Sequence, residues 1–250
     1  MKIKLLLYFS LILAFIFIFV NIFKEDTDSN LKQITIAFVD SGINSNDKNI
    51  LHYDVFTNSK NTYDSYNHGT KIYDLFKENL VSKKQHKILD IKVLNKKGTT
   101  DVETFCKGID YAIRHNADVI NISLGFINND KTLESCVKKA SKNSKIFAAS
   151  GDTLSDSTDY PAKYNFVESV AAIDKYEKLF SFSSTGKIDY VDYGVDVNNE
   201  NKKEIINEMS GSSFAVPLVV AKYISYLEKN NKNIKYKIKD SNYKIMYYNE

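Results

Sequence analysis

The sequence predicts an α/β fold, with three layers, α/β/α, built on a mostly parallel central sheet. Two observations carry this expectation. Short, almost continuously apolar runs recur along the chain, and between them lie segments of ten or more residues with helical spacing. That alternation is the mark of parallel strands joined by crossover helices and covered on both faces. A third observation is the run Leu218-Val219-Val220-Ala221, followed by Tyr223, Ile224 and Leu227. It is apolar on most sides and therefore reads as a helix buried inside the protein.

The chain has 250 residues, 43% of them hydrophobic and 26% charged, with a net charge of +3. This suits one ordinary globular domain with a small appendage and does not point to a nucleic-acid partner. The appendage comes first. Residues 5–23 are nearly all apolar, with Lys2 and Lys4 before them and Glu25, Asp26 and Asp28 soon after. As a helix the run would rise about 28 Å, close to the hydrocarbon thickness of a bilayer. Residues 1–23 thus read as a transmembrane anchor or a signal segment, with the N-terminus cytoplasmic and the rest exported. No small-residue cleavage site ends the run, which favours the anchor over a removed signal peptide and a membrane-bound over a secreted protein. Residues 24–33 form a polar tether, too short for a folded pro-region, and 34–250 form the main domain.

Ile34-Thr35-Ile36-Ala37-Phe38-Val39 is the first strand, ending at Asp40-Ser41-Gly42. A carboxylate at a strand's C-terminal end, before a glycine turn, stands where open α/β sheets place functional groups, although an Asx-turn reads the same way. Asn44 to Tyr66 is polar and loop-like. Asn67-His68-Gly69-Thr70 leads into a helical stretch with Ile72, Tyr73, Leu75, Phe76 and Leu80, so His68 opens a helix; a lone histidine there is more often a surface residue. Lys87 to Leu94 is the next strand and Asn95 to Thr100 a turn. Asp101 to His115 is an amphipathic helix, with Val102, Phe105, Ile109, Ala112 and Ile113 in register. Asp118 to Gly125 is a buried strand with its exit, Thr132 to Asn143 a helix, Lys145 to Ala149 a strand leaving into Ser150-Gly151-Asp152, and Phe166 to Ala172 another strand. The tail from Asn233 to Tyr248 alternates at Ile234, Tyr236 and Ile238 and turns at Asp240-Ser241-Asn242, as a hairpin closing the sheet edge would. Cys106 and Cys136 lie on two of the helices. An exported chain permits a disulfide, but two isolated cysteines do not imply one, and buried free thiols are the expectation.

Gly211-Ser212-Ser213-Phe214-Ala215-Val216-Pro217 opens the apolar C-terminal helix. Pro217 falls in its first turn, where a missing N–H costs little. Ser213 sits at the helix N-terminus, among free backbone N–H groups and the positive end of the dipole. A hydroxyl there can attack a carbonyl and the oxyanion formed would meet ready donors; a plain serine N-cap is the competing reading. Asp40, His68 and Ser213 occur in one of the chain orders known for a serine-nucleophile triad, and each would sit at the same rim of the sheet.

At this point the chain resembles the subtilisin-like serine proteases, the subtilases. Val39-Asp40-Ser41-Gly42 resembles the family's aspartate motif, His68-Gly69-Thr70 its histidine motif and Gly211 to Pro217 its serine motif, with Ser212 for the usual threonine. Asn121 to Gly125 resembles the substrate-binding strand, and Tyr160-Pro161-Ala162 and Phe180 to Ser183 resemble framework segments. The resemblance covers about residues 34 to 230. It implies a subtilisin-like fold and a serine endopeptidase with Ser213 as nucleophile, His68 as base and Asp40 orienting the imidazole. It also implies that Ser123, Leu124 and Gly125 offer a strand edge to extended substrate, with Gly98, Thr99 and Thr100 facing them, and that Ala149, Ser150 and Gly151 wall the primary specificity pocket.

Asp152 stands where the family carries its oxyanion-hole asparagine. The calcium-binding loops of larger relatives are not recognisable, so neither a metal nor a cofactor is expected. In scale the chain most resembles the leader peptidases of lanthipeptide maturation, which implies a membrane-tethered processing enzyme acting as a monomer on a peptide or precursor protein. A general degradative protease is the enzymatic alternative, and a catalytically weak or inactive subtilase-like peptide-binding module the alternative from another class.

Overall fold

Alternation along the first strand, β1 (Thr35–Asp40), divides the core in two. Ile36 and Phe38 point into one apolar cluster, Ala37 and Val39 into the other, and all four are at most 1% exposed. A strand with both faces apolar can only be central in a sheet covered on both sides. The computed structural model describes residues 33–82, 84–197, 209–228, 236–239 and 243–246. After β1 come β2 (Ile50–Asp54), α1 (His68–Asn79), β3 (Lys87–Lys92), α2 (Val102–Arg114), β4 (Val119–Ile122), α3 (Lys131–Ala140), β5 (Lys145–Ala149), β6 (Glu168–Ile173), β7 (Tyr190–Tyr193), α4 (Ser212–Glu228), β8 (Tyr236–Lys239) and β9 (Tyr243–Met246).

Among the described residues the strands form one sheet in the order β2-β3-β1-β4-β5-β6-β7-β9-β8. Every neighbouring pair is parallel except the terminal hairpin β8–β9. Helices α1 and α4 pack with Ile36, Phe38, Val119, Phe147 and Val170 on one face. Helices α2 and α3 pack with Ala37, Val39, Leu89, Ile91 and Ile120 on the other. This is the expected three-layer α/β/α architecture. The chain moves outward from β1 to β3 on one side and then returns to β4 on the other, so the strand order reverses at β1. The C-terminal ends of β1 and β4 therefore flank the crevice where ligands bind in open α/β sheets.

Three details correct the sequence expectations. The stretch 44–66, expected as loop, contains β2. It is an edge strand paired only with β3 and half-exposed along its middle, so it carries no apolar run. Strand β7 is also unmarked in sequence, because its Asp192 is buried yet charged; Lys222 of α4 donates to it at 2.6 Å, and the pair lets an acidic residue enter the sheet. Cys106 and Cys136, expected as free thiols, are joined in a disulfide with a Cα–Cα distance of 5.7 Å. The reason is tertiary: α2 and α3 lie side by side on one face of the sheet, which sequence spacing does not reveal. The terminal hairpin forms as expected, with β9 inside and β8 at the edge, while its turn residues 240–242 lie outside the described residues. The expected membrane segment, residues 5–23, and the tether as far as residue 32 also lie outside them; among the described residues no helix is long and apolar enough to cross a membrane.

Candidate active site

Asp40 is the last residue of β1 and is 1% exposed. One carboxylate oxygen, Oδ1, accepts from the Ser41 N–H at 2.7 Å and lies 2.8 Å from Nδ1 of His68. The second partner is the first residue of α1, so the start of that helix decides whether the pair forms. Asn67 holds the N-cap position in the left-handed region (φ 63) and makes no side-chain cap. Asp64 does that work: its carboxylate accepts from the N–H of Asn67 at 2.7 Å, and from the N–H and hydroxyl of Thr70 at 2.9 and 2.7 Å. Gly69 is required by the close approach of helix and strand. A Cβ there would lie 2.4 Å from the Gly42 carbonyl oxygen and 3.1 Å from Asp40.

Ser213 is the second residue of α4. It is tied to the exit of β4 by two reciprocal bonds: its hydroxyl donates to the Ser123 carbonyl at 3.0 Å, and the Ser123 hydroxyl donates to the Ser213 carbonyl at 2.9 Å. Asn121 donates to the same Ser123 hydroxyl at 3.0 Å, so the buried end of β4 helps seat the helix. The ring of Phe214, the next residue, lies 5.6 Å from the His68 ring.

His68 and Ser213 open into one cleft of about 410 Å³. Gly98, Thr99, Thr100, Ser123, Leu124 and Gly125, all expected at a substrate site, line it together with Tyr66, Leu94 and Phe126. The last three carry no sequence signal of their own. Tyr66 explains Gly98, whose φ is +71 and whose Cβ would lie 2.3 Å from the tyrosine ring. Ala149, Ser150 and Gly151 are buried and are not part of this lining.

Asp152 is turned onto the N-terminus of α4. Its two carboxylate oxygens each accept from the Ser212 N–H at 2.9 Å, and Oδ2 also accepts from the Ser212 hydroxyl at 3.0 Å. Gly151 donates in turn to the Ser212 hydroxyl at 3.2 Å. Gly211, with φ +145, keeps the approach open, since a Cβ there would lie 2.6 Å from Asp152. An ionised carboxylate suits a helix N-terminus, where it satisfies a free N–H and meets the dipole. Burial nonetheless raises the Asp152 pKa, against the opposing effect of the bonds from Ser212. Ser212 is the contact that sequence reasoning missed; its small, buried hydroxyl is what this arrangement needs at the first position of α4.

The family model described as "Subtilase family" matches residues 31–244. The chain is 32% identical over 226 residues to a protein named "Thermophilic serine proteinase" from Bacillus sp. (strain AK1), covering 84% of this chain and 56% of that protein. It is 30% identical over 203 residues to the "Minor extracellular protease Epr" of Bacillus subtilis (strain 168), covering 77% of this chain and 32% of the relative. The chain thus spans about half, or less, of the length of these relatives. A crystal structure of a cold adapted subtilisin-like serine proteinase matches with a TM-score of 0.71 at 21% identity, covering 88% of this chain and 92% of that one, which shows a shared fold.

Electrostatics around His68 yields a direct test. Burial pulls the imidazole pKa down; the charge and hydrogen bond of Asp40, then the charge of Asp64, push it up and prevail, with Lys71 opposing, so it lies above 6.5. A histidine raised on folding stabilises the fold fully below the unfolded pKa of about 6.5 and loses that contribution as pH rises through the folded value. NMR titration of His68 is expected to show a midpoint above 6.5, and in Asp40→Asn a midpoint below it, since burial is then opposed only by the more distant Asp64. A midpoint at or below 6.5 in the parent would mean that burial outweighs Asp40.

Proposed function

Since the chain belongs to the subtilase family, we propose that it is a serine endopeptidase cleaving extended peptides, with Asp40, His68 and Ser213 as its triad. The observation that carries this reading is the 2.8 Å pair between buried Asp40 and His68, opening into the same cleft as Ser213 at a helix N-terminus. Ser213 Oγ attacks the scissile carbonyl. His68 Nε2 takes the hydroxyl proton and hands it to the leaving amine, while Asp40 holds Nδ1 protonated and stabilises the imidazolium. In the resting arrangement the hydroxyl donates to Ser123 instead, so its side chain rotates to His68 as substrate enters. Substrate lies along residues 123–125 in the manner of an added strand, facing residues 98–100.

The oxyanion forms beside the N-terminus of α4, where the Ser213 N–H is a donor that no substitution of that side chain removes. Asp152 is the second member of this hole. Ionised, it has only acceptors, which the bonds from Ser212 occupy, and it repels developing negative charge. Turnover is therefore slow at neutral pH. The resting bond of Ser213 to Ser123 and the acceptor at 152 are also what a peptide-binding module without catalysis would display, and that is the competing reading.

The finer role we propose is processing of a precursor by removal of a leader peptide. The chain acts as a monomer, held to the membrane by residues 1–23 with residues 34–250 outside the cytoplasm. The support is the apolar run with its flanking charges and the export of relatives such as the extracellular protease of Bacillus subtilis.

A fluorophosphonate probe is expected to label Ser213. Ser213→Ala and His68→Ala should each lower kcat/KM by about 10⁴ or more, with little further loss in the double variant. Absence of labelling across the pH range would favour the binding module. Asp152→Asn restores a donor, and loss of one such donor costs roughly 10²–10³ in rate. The variant should therefore cleave faster than the parent above pH 7, and an equal or lower rate would show that the hole is built from other donors. Membrane association should resist carbonate extraction, with the domain open to protease added to intact cells; release of a shortened soluble form would instead identify a cleaved signal.

A further inference from the structure

A second carboxylate–imidazole pair lies one strand away from the first and has no role in the chemistry above. Asp90 belongs to β3 and is 1% exposed. His52 is its register partner on β2, and Nδ1 of the imidazole lies 2.7 Å from Asp90 Oδ2. The same oxygen accepts from the Thr62 hydroxyl and, at 3.1 Å, from the N–H of Ile43. An ionised carboxylate has only acceptors, so Nδ1 carries the proton in this bond. A carboxylate inside a parallel sheet is costly unless its partners satisfy it. Burial raises the Asp90 pKa, against the opposing bonds from His52, Thr62 and Ile43. None of Asp90, His52 and Thr62 lines the cleft of His68 and Ser213.

Two of the three donors stand on the segments that build the Asp40–His68 pair. Ile43 follows the turn that leaves Asp40 through Ser41 and Gly42. Thr62 stands just before Asp64, whose carboxylate orders the start of α1 and with it the placement of His68. The two segments are laced to each other. The Asn44 side chain donates to the Asp64 carbonyl at 3.0 Å and accepts from the Asp64 N–H at 2.9 Å. The Thr62 carbonyl presses on Gly42, where a Cβ would lie 2.1 Å from its oxygen. Lys92 shares a face of β3 with Asp90 and spans the same two segments with the opposite polarity. Its ammonium donates to the carbonyls of Ser41 and Tyr63. One anion and one cation of β3 thus hold both the turn after Asp40 and the approach to His68. That strand is a firm base, since it is bonded to β1 on one side and β2 on the other.

We propose that Asp90, with His52 seated against it, is a positioning residue for the Asp40–His68 pair. Its effect on rate rests on the protease reading; its effect on the geometry of the pair does not. Asp40 is fixed by its strand, whereas His68 arrives on a loop and a helix start that must be held where Nδ1 meets Oδ1. Asp90 sets that separation by pinning the Ile43 N–H and the Thr62 hydroxyl to one oxygen, and His52 closes the network from the β2 side. Ile43 and Thr62 are themselves buried. Without an acceptor at position 90 their donors are left unpaired, which costs the full desolvation of each. The two segments then move to find other partners, and they carry Asp64 and the start of α1 away from Asp40.

The test compares Asp90→Asn with Asp90→Ala in the full chain. Asparagine removes the charge but keeps an oxygen for Ile43 and Thr62; alanine removes both. Each protein is assayed on one peptide well below its own melting midpoint, so that lost stability alone does not lower the rate. Asp90→Ala should lower kcat by about 10², the scale of an ångström-size misplacement, with KM within about threefold of the parent, while Asp90→Asn keeps kcat within about tenfold. NMR titration of His68 gives a readout that needs no turnover: its midpoint should fall in Asp90→Ala and hold in Asp90→Asn. The proposal requires both results. An unchanged kcat or an unchanged midpoint in folded Asp90→Ala overturns it, and so does equal behaviour of the two variants, which would assign the effect to charge alone. If Asp90→Ala does not fold, Thr62→Val takes its place, since it removes one donor and keeps the shape. There kcat should fall about tenfold, the scale of one hydrogen bond, with a lowered His68 midpoint, and parent-like values overturn the proposal. If the parent itself neither cuts peptide nor reacts with a fluorophosphonate, the protease reading fails, and the His68 midpoints alone decide whether Asp90 positions the pair.

Discussion

A carboxylate set at the end of a central strand with 1% of its surface exposed must find partners within the protein, and the site is arranged around how Oδ1 of Asp40 does so, while Oδ2 is buried without a hydrogen-bond partner. Its backbone cannot move, because β1 is bonded to β3 on one side and β4 on the other. The partners therefore come to it. The turn after the strand supplies the Ser41 N–H, and α1 supplies an imidazole. Bringing α1 close enough removes a side chain from position 69 and leaves no room for an ordinary cap, so Asp64 takes over the first turn. The edge contacts of Phe38 with Tyr73 and Phe76 fix the same helix from the core side, at 5.6 and 5.1 Å between ring centroids. The position of His68 thus follows from one buried charge and one aromatic cluster.

The N-terminus of α4 is a second charged feature of the same rim, with the opposite sign. Its free N–H groups attract acceptors, and Asp152 meets that demand through Ser212. In the proposed reaction the same N-terminus must also receive an oxyanion. A carboxylate and an oxyanion compete for one positive end, whereas a neutral amide would complement both the helix and the reacting oxygen. The identity of residue 152 therefore sets a balance between resting stability of the helix start and stabilisation of negative charge in the reaction.

Much of this was legible in the sequence, for a physical reason. Strands buried on both faces leave continuous apolar runs, and Ile34 to Val39, Asp118 to Gly125 (strand and exit) and Lys145 to Ala149 appear as β1, β4 and β5 with ends that differ by at most three residues. Asp40, His68 and Ser213 lie beside glycines or helix starts, where backbone geometry restricts residue choice, so their motifs are local. The parts that did not show are those set by a neighbour across space. Strand β2 is half-exposed, β7 hides a charge by pairing with α4, and the disulfide depends on two helices meeting. Tyr66 and Phe126 read as ordinary aromatic residues until the cleft places them.

The glycines show the same division. Gly98 reads as a turn residue and Gly151 as part of a strand exit, and both have positive φ. Each also has a second, non-local reason. Gly98 makes room for Tyr66, and Gly151 makes room for Asp159. Gly125 has only the second reason, for its backbone is not in the left-handed region. A glycine that backbone conformation does not require is kept small by something packed against it, and at Gly125 the packed group is the side chain of Asp159. Asp159 itself sits in a polar stretch with no periodicity. Its packing becomes visible only in the fold, against two residues that have no side chain where it lies.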